Sequence, residues 1–533
     1  MNKHLITYTQ TLIKKMKKIS LFIVHCSLFI VFPAGFLAAQ PLNEKAIDSL
    51  VTKAMFTFDV PGMAVAIVKD GKVVLEKGYG IRSINSSEKV DQHTLFAIAS
   101  NSKAFTAAAL AILVDRNKIK WDDRVINYIP EFRLYSPYVT EEFTIRDLLC
   151  HRSGLGLGAG DLMIFPDGND FTVDELIHNL RYLKPTSGFR AKYDYNNLLF
   201  IVAGEVVKRV SGSSWNEFIE ENILAPLEMN RTGSNYLRIP NKTNIVDPHA
   251  IIEDKLQVVE RHVLPLIDAA GGIYSSVHDL GKWVVMQLNE GKTIEGRQIF
   301  SPEVQRVMWT PHTVMRGRTG GVYNTHYTAY GLGWSICDVA GYGQISHTGG
   351  LPGIWTQVTL LPELQLGIIV LTNQQCSEAF ASVTDGIKDG YLHIKDVDRV
   401  KLYEENFHTS QKRTKEAVEK AWSEMNMNKG QVLNIEPFLG TYKDDWFGEV
   451  TISIADGKPW FTSKRSPKIS GELISYKGNT FIAKWTDRTM EADAYVIFEL
   501  DYQGEASGFK MKWVSPATDF SYDFHDLNFY RTK

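Results

Sequence analysis

The feature that most restricts the fold is the placement of strand-like runs at two distant points of the chain, around a helical middle. Early on, residues 63–68 and 72–78 are apolar or alternating runs separated by Asp70-Gly71, which reads as a hairpin with a tight turn. Much later, 357–361 and 367–371 are β-branched or apolar runs joined through Pro362-Glu363. Between them, 105–114 is alanine-rich and reads as a helix. Strands that flank helices in this way predict an α+β domain whose antiparallel sheet is assembled from both ends. The stretch 396–432 is charged, with Glu416, Glu419, Lys420 and Glu424 among Ala417, Val418, Ala421 and Trp422, and reads as a connecting amphipathic helix. Beyond it, short β-rich runs recur at 449–454, 460–462, 472–476, 480–485, 495–500 and 509–513. Turns fall at Asp456-Gly457, Lys477-Gly478 and Gln503-Gly504, predicting a separate all-β unit over 433–533, a sandwich or a small barrel.

The first 39 residues have another character. Lys14, Lys15, Lys17 and Lys18 precede an apolar run over 19–32, and Ala34, Gly35, Ala38 and Ala39 lead to a polar start at Gln40-Pro41. A charged region, a short apolar core and small residues at a cleavage point predict a signal peptide, hence a periplasmic or secreted protein. The alternative is an uncleaved N-terminal membrane anchor, because the run nears spanning length when 33–39 are counted. Cys150, Cys337 and Cys376 would remain after cleavage, an odd number that demands no disulfide. The expected organisation is therefore a signal peptide over 1–39, a main domain over 40–395, a helical linker over 396–432 and the β unit.

With 58 basic and 61 acidic residues, the chain offers no electrostatic case for nucleic acid as a partner. Candidate chemistry concentrates in three motifs. In Ser100-Asn101-Ser102-Lys103, the spacing of three puts Ser100 and Lys103 on one face at a helix start, with Ser102 on another. A serine hydroxyl attacks only when a neighbour takes its proton, and a lysine can do so once burial lowers its pKa. In Tyr195-Asn196-Asn197, before the apolar run 198–203, a phenol could share proton transfer and an amide could hold a substrate carbonyl or the lysine. Tyr193 offers a second phenol two residues away. In His347-Thr348-Gly349-Gly350, read as an edge strand, an ionisable group and a hydroxyl adjoin backbone that can approach closely. Taken singly, each motif also has an ordinary structural reading: a surface helix, an aromatic-packed turn, a glycine-rich loop.

Together and in this order, the motifs resemble the serine β-lactamase and penicillin-binding protein superfamily, in its branch of class C-like enzymes, D-alanyl-D-alanine carboxypeptidases and related esterases. The resemblance extends through Asp147-Leu148-Leu149-Cys150-His151-Arg152-Ser153-Gly154-Leu155, Ala270-Gly271-Gly272-Ile273-Tyr274, Tyr330-Gly331-Leu332-Gly333-Trp334 and the closing strands to Leu371-Thr372-Asn373. It implies that Ser100 is the nucleophile, Lys103 its general base, and Tyr195 a partner in proton transfer to the leaving group. Asn197, His347 and Thr348 would contact substrate, and the N–H groups of Ser100 and Gly350 would form the oxyanion hole. No cofactor and no metal are implied. The implied substrate is a small molecule or peptide, an ester or a D-amino-acid-containing amide, with peptidoglycan fragments among the candidates. The alternatives are a true β-lactamase and a non-catalytic penicillin-binding or peptidoglycan-sensing protein. Efficient β-lactamases of the branch carry lysine where this chain has His347, a weaker and pH-dependent anchor for a carboxylate. Glu228 replaces the glycine usual in the block Leu224-Ala225-Pro226-Leu227-Glu228-Met229, which reads as neutral surface variation. The β unit resembles the small lipocalin-like domain appended to such hydrolases.

Three further features read as structural. The glycine run 154–160 lacks the preceding strand of a phosphate cradle and reads as a flexible active-site loop. His151 reads as fixing loop geometry, and Cys150 as packing.

Overall fold

A computed structural model of the chain describes residues 42–427 and 434–532; the expected signal segment and the end of the linker lie outside the described residues. The two ends of the main domain meet in one sheet. Its strands are β1 (Gly62–Lys69), β2 (Lys72–Gly80), β3 (Thr313–Met315), β4 (Thr328–Tyr330), β5 (Ser335–Val339), β6 (Tyr342–Leu351), β7 (Ile354–Leu361) and β8 (Leu366–Thr372). Their spatial order is β2-β1-β8-β7-β6-β5-β4-β3, with every neighbour antiparallel. This is the sheet that the strand pattern predicts, and β1 joins β8 with Met63 opposite Thr372 and Lys69 opposite Leu366. The Asp70-Gly71 turn has φ of 50° and 75°, the left-handed pair a tight hairpin requires.

Helices cover both faces, which explains why β1 is an unbroken apolar run rather than an alternating one. Met63, Val65 and Ile67 pack into one layer with α1 (Glu44–Thr57) and α5 (Ser377–Leu392), through Val51 and Phe380. Ala64, Ala66 and Val68 face the other layer, which holds α2 (Ser102–Asp115), α3 (Leu198–Ser211) and α4 (Val277–Leu288). There α4 lies directly on the sheet: a Cβ at Gly367 would sit 2.2 Å from Val284 Cγ1. Helix α2 is buried from Ser102 to Leu113, as befits a helix apolar on all sides, and its five alanines let its neighbours come close. Among the described residues, no helix is long and apolar enough to cross a membrane.

The long helix α6 (Arg399–Met427) is anchored by Arg399, whose Nε lies 2.6 Å from Asp389 Oδ2, and leads to the β unit. That unit is a closed barrel of β9 (Gly440–Asp444), β10 (Gly448–Ala455), β11 (Lys458–Ser463), β12 (Ser470–Lys477), β13 (Thr480–Trp485), β14 (Ala494–Leu500), β15 (Ala506–Trp513) and β16 (Asn528–Arg531). Each strand pairs with its successor, and β16 closes on β9 with Arg531 opposite Tyr442. Rings of Tyr442, Phe461, Trp485, Phe498 and Phe509 meet in its interior.

Two sequence readings change. The 154–160 run is the seat on which the barrel docks. Gly158 has φ of 72° and a Cβ there would lie 2.6 Å from the Phe520 carbonyl oxygen, while Gly160 N–H donates to Asp523 Oδ2 at 2.6 Å. Farther out, Asn179 Nδ2 donates to the Trp446 carbonyl at 2.9 Å and Arg465 pairs with Asp170 and Glu175. Glu228 has φ of 54°, so its backbone is left-handed, a conformation glycine adopts without strain and other residues do not.

Candidate active site

Ser100 sits in a short 3-10 turn, Ala99–Asn101, that feeds directly into α2. Ala99 has φ of 48°, a left-handed conformation that costs a non-glycine residue about 1–2 kcal/mol. The turn is clamped in place. Asn101 Nδ2 donates to the Ile98 carbonyl at 3.0 Å and to Thr356 Oγ1 at 2.9 Å, and Thr356 Oγ1 donates to the Ile98 carbonyl at 3.0 Å. Gly349 lets β6 press on this clamp, since a Cβ there would be 2.1 Å from Ile98 O. The His-Thr-Gly motif is therefore on an inner strand and not on an edge strand. β6 pairs with β7 through Leu351, but its pairing with β5 stops at Ser346. The stretch 347–351 that β5 leaves unpaired lies against the nucleophile turn at Gly349, and Gly350 lines the same cleft as Ser100.

Lys103 is wholly buried, and its Nζ lies 3.0 Å from Ser100 Oγ, 2.8 Å from Asn197 Oδ1 and 2.8 Å from the Ala270 carbonyl oxygen. Burial brings its pKa down to about 7, an effect partly offset by the charge of Asp161. An amine with that pKa is neutral often enough near pH 7 to take the Ser100 proton across 3.0 Å.

Tyr195 lines the cleft beside Ser100, and its ring centroid is 4.8 Å from Lys103 Nζ. Burial raises its phenol well above the ordinary range. Its ring lies 4.2 Å from that of His151, and His151 Nδ1 accepts the Asn196 N–H at 3.1 Å, so His151 holds this loop from beneath. Tyr193 instead packs against His151 and Tyr330. Asn197 stands at the N-terminus of α3 and turns its Nδ2 to Asp161 Oδ2 at 2.7 Å.

His347 is buried with both ring nitrogens engaged: Nδ1 lies 2.5 Å from the Thr348 carbonyl oxygen and Nε2 lies 2.7 Å from the Tyr330 hydroxyl. A carbonyl only accepts, so Nδ1 carries the proton and Tyr330 donates to Nε2. Burial, reinforced by Lys103, lowers its pKa to about 3 and keeps the imidazole neutral. Thr348, next to it, is exposed.

These groups open into a cleft of about 420 Å³ that Ser100, Tyr195, Asn197, His347, Thr348 and Gly350 all line. The barrel supplies one wall, with Glu491, Asp519, Phe520, Ser521 and Tyr522. Among the described residues, none that lines the cleft is a lysine or arginine. Asp519 and Glu491 both reach solvent, yet the protein around them displaces enough water to raise the carboxyl pKa of each.

Several of these side chains carry no local signal in the sequence. Asp161 follows a glycine run that reads as loop, and Ser521 comes from the barrel, yet both meet at Asp161 Oδ2, where Ser521 Oγ donates at 3.0 Å. Tyr330 lies in one of the blocks that carry the resemblance, but only the fold brings it to His347. Among the described residues, Asp523, His525 and Asp526 have metal-ligand spacing. Asp523 Oδ2 accepts the Gly160 N–H, while Asp523 Oδ1 and Asp526 Oδ2 have no hydrogen-bond partner among the described residues.

Residues 47–390 match the Beta-lactamase family, and 426–531 match a domain family of unknown function, DUF3471. The chain is 28% identical to the unguisins hydrolase ungD of Aspergillus violaceofuscus over 439 residues, 76% of each chain. It is 27% identical to protein flp of Staphylococcus aureus over 344 residues, 62% of this chain and 63% of that one. Among solved structures it is similar to the octameric penicillin-binding protein homologue from Pyrococcus abyssi, with a TM-score of 0.58 and 19% identity over 92% of this chain and 100% of that one. That likeness speaks for the fold.

Proposed function

This chain belongs to the Beta-lactamase family, and from that premise we propose that it hydrolyses an ester or a D-amino-acid-containing amide through an acyl-enzyme on Ser100, in the manner of an esterase or aminopeptidase. The observation that carries the reading is the contact of Ser100 Oγ with a buried Lys103 amine whose pKa is about 7. In the first step the Ser100 proton passes to Lys103 as Oγ bonds to the substrate carbonyl carbon. The N–H groups of Ser100 and Gly350 hold the resulting oxyanion. The proton then reaches the leaving group by way of Tyr195 as the tetrahedral intermediate collapses to the Ser100 ester. Water repeats the sequence: it loses a proton to the same groups, attacks the ester, and returns Ser100 to its hydroxyl form.

The wall chemistry supports the choice of substrate class. D-alanyl carboxypeptidases and β-lactamases act on molecules that carry a carboxylate. Here the lining residues include two acids and no lysine or arginine, and His347 is neutral with both nitrogens in use. A neutral or amine-bearing small molecule or peptide suits this surface better. The name of the Aspergillus relative, a hydrolase, is in keeping with the reaction class. We also place the protein in the periplasm or outside the cell, on the sequence of residues 1–39 alone; N-terminal sequencing of the exported protein should begin near Gln40.

The test is labelling of the purified protein with a fluorophosphonate and with fluorescent penicillin, beside Ser100→Ala. Fluorophosphonate labelling that disappears in Ser100→Ala, with little penicillin labelling, is the expected result. Equally rapid penicillin labelling would return the carboxypeptidase reading to first place. A folded protein that neither probe labels would be a binding protein rather than an enzyme.

A further inference from the structure

Asn197 can hold Lys103 in only one orientation of its amide. Its Oδ1 faces Lys103 Nζ and its Nδ2 faces Asp161 Oδ2. Turning the amide over would set a donor against the amine's own donors and a carbonyl against a carboxylate oxygen. Asp161 therefore decides which end of the amide the lysine meets. The same Oδ2 also accepts from Ser521 Oγ at 3.0 Å, and the Ser521 N–H donates to Asp519 Oδ1 at 2.9 Å. The loop that carries Ser521 is fixed in turn by the bond of Gly160 N–H to Asp523. An unbroken line of hydrogen bonds thus runs from the barrel through Asp161, Asn197 and Lys103 to Ser100 Oγ.

Asp161 is an expensive residue to keep for stability alone. It is fully buried, its Oδ1 has no hydrogen-bond partner, and burial pushes its pKa up to about 7. A buried carboxyl left partly unsatisfied beside a reacting lysine is the kind of arrangement that functional sites retain. The charged and titratable groups around the pair come from several elements. His151, Tyr195, His347 and Asp161 face Lys103, while Asp519 and Asp523 oppose its field at Asp161.

We propose that Asp161 is a positioning residue for acyl transfer and that Ser521 completes its hold, so that a side chain of the barrel helps to set the state of the lysine in the other domain. The inference rests on Ser100 and Lys103 being the reacting pair. The experiment uses the full chain and compares the wild type with Asp161→Asn, Ser521→Ala and Ser521→Thr. Lys103 is titrated by NMR in protein labelled with 13C at the lysine Cε, and the rate of fluorophosphonate labelling is followed against pH. In Asp161→Asn, loss of the nearby negative charge should move the Lys103 midpoint down by about one pH unit, carrying the acid limb of the labelling profile with it. Its plateau rate should fall about tenfold, on the scale expected for misplacing a catalytic group. Ser521→Ala should lower the plateau about threefold, less than Asp161→Asn because its bond reaches Lys103 only through Asp161 and Asn197, and Ser521→Thr should restore it. Wild-type midpoints and rates in both Asp161→Asn and Ser521→Ala would overturn the proposal, as would a threonine variant as slow as the alanine one. If Asp161→Asn does not fold, the Ser521 pair decides. If the fluorophosphonate fails to label even the wild type, the acyl-enzyme reading falls, while the NMR midpoints still decide whether Asp161 and Ser521 govern Lys103.

Discussion

The molecule contains two eight-stranded sheets built on opposite plans. In the main domain, β1 and β2 from one end join β3–β8 from the other, and the sheet stays open with helices on both faces. In the barrel each strand pairs with the next, and the ring closes on itself. The open sheet can leave a stretch of strand backbone without a strand partner beside the cleft, as β6 does beyond Ser346. A closed ring has no free strand side to offer, and among the described residues the barrel reaches the cleft through its connecting segments, around 489–491 and 517–522. The contrast suggests a division of labour in which one sheet positions the reacting backbone and the other places side chains around it.

Substitutions can break or sharpen that division. The largest effect belongs to Ser100→Ala and Lys103→Met, each of which should lower the fluorophosphonate labelling rate by ~10³-fold or more. Circular dichroism should show both sheets intact. Gly349→Ala should come next, because the new Cβ would lie 2.1 Å from Ile98 O and must displace β6 or the nucleophile turn. A shift of about 1 Å there should cost ~10²-fold in labelling rate, together with a lower Tm. The pH dependence of the wild type should be of similar size. With Lys103 at about 7, the rate should fall about tenfold per unit below that pH, where the amine is protonated, and level off above it. His347, at about 3, should add no second limb between pH 5 and 9. The smallest effect should come from the barrel wall. Asp519→Asn should lower kcat/KM for an amine-bearing substrate about threefold to tenfold and improve that for a carboxylate-bearing one. An unchanged preference would show that the barrel wall does not select the substrate.

Legibility in the sequence follows the distance between partners. Ser100 and Lys103 are one helical turn apart, so their contact can be read from spacing. Barrel strands pair with their chain neighbours, and Gly457, Gly478 and Gly504 mark three of the seven connections. The barrel's first and last strands escape notice because they are short: β9 contains Tyr442 as its one large apolar residue, and β16 has four residues. The three-residue strands β3 and β4 escape it for the same reason. The nearness of Tyr195 to Ser100 comes from resemblance to a family and not from any pattern in the residues. Asp161 and Ser521 lie 360 positions apart and become neighbours only through docking of the barrel. The run 154–160 does border the cleft through Leu157, but Gly158 serves the close approach of Phe520, which looks in a sequence much like freedom to move.

The pairing of β1 with β8 has a consequence for the birth of the protein. As the chain is made from its N-terminus, β1 and β2 are complete early, but the flank of β1 that belongs to β8 has no partner until residue 372 has been made. At ordinary rates of synthesis that wait lasts roughly 15–60 s. Throughout it, the nascent chain presents a free strand side next to Met63, Val65 and Ile67, a ready template for wrong partners.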